Sequence, residues 1–83
     1  MTKRTAAEDK ARNEEVGLQL DQPTRQRVEE TLTRLGYDAG PSDGVFDDRT
    51  RTAIRGFQKE WHFVETGYLD EVTFVRLLAI GIY

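Results

Sequence analysis

The stretch DGVFDDRT, residues 43–50, concentrates the candidate chemistry of this chain: Asp43, Asp47 and Asp48 stand beside a glycine and a lone phenylalanine. Carboxylates so close together could ligate calcium, form an acid–base pair, or start a helix. An acidic calcium loop counted from Asp38 would place its oxygen ligands at 38, 40 and 42, which are Asp, Gly and Ser. Its obligatory glycine would fall on Asp43 and its closing glutamate on Arg49, so the pattern fails and no metal site is expected. A catalytic pair needs one carboxyl desolvated and kept protonated beside one that stays ionised. A helix N-cap has the opposite environment, because it favours the charged form. With one histidine, His62, and no nucleophile placed beside it, no catalytic residue is assigned and the chain is read as a non-enzyme that uses no cofactor.

Helix starts explain these acids better. An apolar residue, Asp, two variable positions and Thr recur as LDQPT (20–24), FDDRT (46–50) and LDEVT (69–73). Aspartate at an N-cap accepts hydrogen bonds from free backbone N–H groups and suits the positive end of the helix dipole. Seven places after each Asp stands an aliphatic residue, Val28, Ile54 or Leu77, on the face that must be buried. The pattern predicts helices over 22–35, 48–61 and 71–80, with Pro23 in the first turn of the first and Gly36 as its left-handed cap. In the second, Thr50, Ile54, Phe57 and Trp61 follow helical spacing, which puts Trp61 in the core; Arg51, Arg55 and Lys59 flank that stripe, and Gly56 faces outward. The first connection, 36–46, is a long loop punctuated by Gly40-Pro41 and Asp43-Gly44. The second turns at Thr66-Gly67, with Phe63 and Val64 expected to be buried and a short extended pairing between Gly44 and Gly67 conceivable.

Eighty-three residues suit one small domain, which buries only about 60% of the surface its unfolded chain exposes. There is no cysteine, hence no disulfide, thiolate nucleophile or cysteine-held zinc. The net charge of -3, with Asp48 inside the basic arc of the second helix, argues against a nucleic-acid partner. No apolar run approaches the roughly 20 residues that cross a bilayer, and none follows the basic start as a secretory signal would. Residues 1–16 balance four basic against four acidic side chains with nothing periodic to bury, so they read as a charged linker or frayed helix, and residues 17–83 as the packed domain.

Several short phrases occur in a fixed order: Leu32, Leu35-Gly36-Tyr37, Gly40, Asp43-Gly44, Phe46, Thr50-Arg51, Ala53-Ile54, Phe57-Gln58, Thr66-Gly67 and Leu69-Asp70. Together they make residues 18–80 resemble the peptidoglycan-binding domain family, three-helix modules carried by bacterial cell-wall enzymes. The resemblance implies an all-α, small three-helix bundle with a long Gly/Pro/Asp loop between its first two helices. It implies a non-catalytic module, monomeric, that tethers a larger exported protein to the wall in the periplasm or at the cell surface. The partner would be the peptidoglycan glycan or its stem peptide, with an attached catalytic domain or another protein as a further partner. The implied ligand surface comprises Tyr37, Asp43, Gly44, Arg49, Arg51, Gln58, Gly67 and Tyr68. Asp43 could instead satisfy loop N–H groups, and Gln58 could instead tie loop backbone to the second helix. Four residues depart from the usual pattern: Asp47 and His62 replace common glycines, Asp48 a common proline and Glu29 a common glutamine. The loop changes leave a second function open, a protein-docking or regulatory module on the same fold.

Overall fold

The computed structural model describes residues 6–82, so residues 1–5 of the expected linker and Tyr83 lie outside the described residues. Regular structure within them is entirely helical: α1 Ala6–Leu18, α2 Gln22–Arg34, α3 Asp48–Glu60 and α4 Glu71–Leu77, with a π-helical turn at Leu78–Ile82. The three expected helices are α2, α3 and α4, and each starts where its aspartate stands. Asp21, Asp47 and Asp70 are extended residues whose side chains accept the N–H groups of Thr24, Thr50 and Thr73 at 3.0, 3.0 and 2.8 Å. The aliphatic residues seven places on, Val28, Ile54 and Leu77, are all fully buried. They join Leu32, Ala39, Ala53, Phe57 and Leu69 in one core, with Leu20, Tyr37, Phe46, Phe63 and Phe74 packed around it. Truncating a buried side chain such as Phe57 to alanine removes about 3–5 kcal/mol in comparable cores.

Helices α2 and α3 end alike. After α2, Gly36 has φ +101°, its N–H reaches the Thr33 carbonyl, and the Tyr37 N–H reaches back to Leu32. After α3, His62 takes the same role with φ +60°, bonding Lys59, while Phe63 reaches back to Gln58. A side chain in the left-handed region costs roughly 1–2 kcal/mol relative to glycine, so His62 is a strained cap.

Four expectations are corrected here. Within residues 1–16, read as a charged linker or frayed helix, the helix Ala6–Leu18 forms and lies against α4 with Ala11 buried, so four helices are present rather than the expected three. Trp61 is 41% exposed: it caps the end of α3 with its ring still against Phe57, but beyond the helix end it is covered by the Arg76 guanidinium and by water rather than by core side chains. Val64 is exposed and Phe63 half-buried, and no strand joins Gly44 to Gly67 among the described residues. Gly56 does not face outward; a Cβ there would stand 3.1 Å from the Tyr37 ring, so the glycine is the seat for that tyrosine.

Candidate functional site

The two loops that carry the implied ligand residues are each held by one buried polar side chain. Glu29, in α2, accepts the Gly44 N–H at 2.7 Å and the Thr50 hydroxyl at 3.2 Å. Burial raises its pKa above the ordinary glutamate value, against the pull of those two donors. Gln58, in α3, accepts the N–H groups of Thr66 and Gly67 through its carbonyl. Its amide donates to the Tyr68 carbonyl and to the hydroxyls of Thr66 and Thr73. Gln58 therefore builds the turn, and being fully buried it presents nothing to a ligand.

Within the first loop, Asp43 accepts the Val45 N–H at 2.9 Å while its carbonyl takes the Gln22 amide, so it shapes the turn. Gly44 is buried with φ +83°, and an added Cβ would lie 2.6 Å from the Gln22 side chain and 3.2 Å from its carbonyl. Glycine is required there by backbone and space together. Asp47 is held below the usual carboxylate range, chiefly by the Thr50 N–H, as a cap should be.

The implied ligand residues divide into three places. Arg49 pairs with Asp38 in the open, its stem crossing Gly40, and Arg49 holds the Asp38 carboxyl below its ordinary value. Tyr37 turns its ring edge to Phe57, 6.1 Å between centroids, and its hydroxyl bonds Glu60; burial and that carboxylate push its pKa to about 12. Arg51, Gly44 and Tyr68 gather on a third face with Gly67. The Arg51 guanidinium lies 4.4 Å over the Tyr68 ring and 5.4 Å from that of Phe46, and donates to the Gly67 carbonyl at 3.2 Å.

Beside this face runs a groove of about 460 Å³. Gly44, Val45, Phe46 and Arg51 line it from the first loop and α3; Glu15, Val16, Gln19, Leu20 and Arg25 line it from α1, the α1–α2 link and α2. Sequence reasoning missed the second set. Arg25 carried no signal, as one cation in a helical first turn. Glu15 lay in a segment without apolar periodicity, yet it receives both Arg51 Nη atoms, at 2.6 and 2.9 Å, and the Leu69 N–H at 2.7 Å. A second hollow, about 640 Å³, lies on α4 between Phe63, Val72, Val75 and Ala79.

The arrangement is that of a small helical binding module: two loops each anchored from beneath by a buried side chain, with an apolar and arginine-bearing groove beside the first. Residues 21–77 match the family described as "Putative peptidoglycan binding domain", which is more than half of the chain. The chain therefore belongs to that family, a binding domain rather than a catalytic one. Neither the curated proteins nor the solved structures yield a match. No helix among the described residues is long and apolar enough to cross a membrane.

Proposed function

We propose that this domain binds peptidoglycan without catalysis and tethers a longer exported protein to the bacterial wall. The ligand face is the one where residues 43–46, the edge of α3 at Arg51 and the 66–70 turn meet. The observation that carries this reading is the groove along Gly44, Val45, Phe46 and Arg51: the first loop of the family pattern, held by buried Glu29, borders it, and Arg51 connects it to the 66–70 turn through the Gly67 carbonyl. Apolar walls with a few oriented donors are what sugar and peptide ligands need. A shallow site on so small a domain gives weak binding of soluble fragments, and avidity along the polymer compensates. Cosedimentation of the full chain with sacculi from several bacteria tests it: binding at low salt is expected. Absence of binding in every case would transfer the function to the second reading, protein docking, which the exposed Val72 and Val75 beside the α4 hollow favour.

A further inference from the structure

Glu15 occupies a receptor that belongs to the rest of the domain. Its carboxylate meets the fork of one guanidinium and one backbone N–H, the geometry by which arginine recognises carboxylates. The receiving groups are well ordered for the task. Arg51 is fixed by the Gly67 carbonyl and by the Tyr68 ring beneath it, and Leu69 is buried in the core. The guest is less firmly held. Of α1, only Ala11 is buried among the described residues, and Val16, next to Glu15, is 70% exposed. A second carboxylate, Glu14, accepts the Glu71 N–H at the open start of α4. Helix α1 is thus attached largely through carboxylates, and it lies outside the 21–77 span that defines the family. The groove lined by Glu15 and Arg51 is lined also by Arg25, whose Nε–H is buried and finds no acceptor.

We propose that Arg51 and the Leu69 N–H form a seat for a free carboxylate of the wall's stem peptide, and that Glu15 is a built-in occupant which this carboxylate displaces. The proposal rests on the peptidoglycan reading above and names the part of the polymer that is recognised. A peptide whose carboxylate entered the seat would run along Val45 and Phe46 toward Arg25. Binding then requires α1 to release Glu15, so the apparent affinity is lowered by the fraction of time the seat is filled.

The test uses the full chain, labelled with nitrogen-15, and a purified muropeptide in two forms, one with free carboxyl groups and one with them amidated. The free acid is expected to shift the Leu69 and Gly67 amides together with those of α1, and the amidated form to bind at least about tenfold more weakly. Glu15→Gln should bind the acid form about tenfold more tightly than the native chain, since its seat stands open more often. Should that variant unfold, the acid-against-amide comparison on the native chain decides alone. Equal binding of the two forms, or binding that leaves the Leu69 amide unmoved, overturns the seat, while sacculus cosedimentation would still uphold the wall reading. Binding of an unrelated acidic peptide at Leu69, with sacculi ignored, would overturn the wall assignment and make the seat a protein-docking feature.

Discussion

The loops at 37–46 and 66–70 solve one problem with different chemistry. Each bends through a buried glycine with positive φ, Gly44 or Gly67, and each hangs from one fully buried side chain on the preceding helix. Gln58 satisfies its turn completely, because an amide both donates and accepts. Glu29 accepts only. Its neighbour Thr50 has a single hydroxyl proton for two oxygens, Glu29 Oε2 and the Ala39 carbonyl, at 3.2 and 3.0 Å, while Asp47 Oδ1 at 3.1 Å is already served by the Thr50 N–H. The second loop is held by a closed set of hydrogen bonds, and the first by a set one proton short. The looser anchoring belongs to the loop that borders the groove.

The largest effect should come from opening the closed set. Gln58→Leu keeps the volume but strands the Gly67 N–H, and leaves the Thr66 N–H and the Tyr68 carbonyl only their second partners, the Val64 carbonyl and the Asp70 N–H; it should cost about 3 kcal/mol in urea unfolding. A loss below about 1 kcal/mol would show that Gln58 is not the anchor. Next come the paired glycines. Gly67→Ala meets only the movable Arg55 side chain and should cost about 1–2 kcal/mol for its positive φ. Gly44→Ala meets the Gln22 backbone as well and should lose roughly 1 kcal/mol more. The opposite ranking would break the comparison.

Asp70, which closes the second loop by capping α4, should lose about 1 kcal/mol on change to alanine, and Asp70→Asn should recover most of it in thermal unfolding. The smallest effect is a gain. Glu29→Gln supplies the missing proton, since its amide can donate to Thr50 while Thr50 donates to Ala39, and should stabilise by about 0.5 kcal/mol at neutral pH. Its sign with pH is diagnostic. Glu29 has a raised folded pKa, so its contribution is complete below the ordinary 4.5 and is lost as pH rises through the folded value. The variant's advantage should therefore grow from about pH 4.5 upward. Asp21, Asp38 and Asp47, with lowered values, act oppositely: their contribution is lost as pH falls below about 3.8, in native chain and variant alike. Stability curves that run parallel across this range would refute the one-proton deficit.

The helix starts and the core were legible because they depend on local chemistry: an aspartate before a threonine, and an aliphatic residue two turns later. The structural alternatives entertained for Asp43 and Gln58 were legible for the same reason. Trp61 was misread because its spacing continues the stripe after the helix has ended, and Gly56 because the side chain above it, Tyr37, comes from another segment. A frayed helix was one of the two readings of residues 1–16, but the packing of α1 escaped notice because carboxylates attach it, and a carboxylate's partner does not show in periodicity. Glu15 and Val16 of that helix line the groove, so this part of its wall was invisible to sequence reasoning.

Trp61 is the chain's single tryptophan, and its ring is half in water with the Arg76 guanidinium 4.8 Å above it. Its fluorescence is therefore a natural gauge of the α3–α4 junction: parting those helices removes the cation from the ring and wets it further. The groove is lined without it. Emission should therefore follow unfolding closely yet hardly change as a ligand fills the groove, which lets stability and occupancy be recorded as separate signals in one sample.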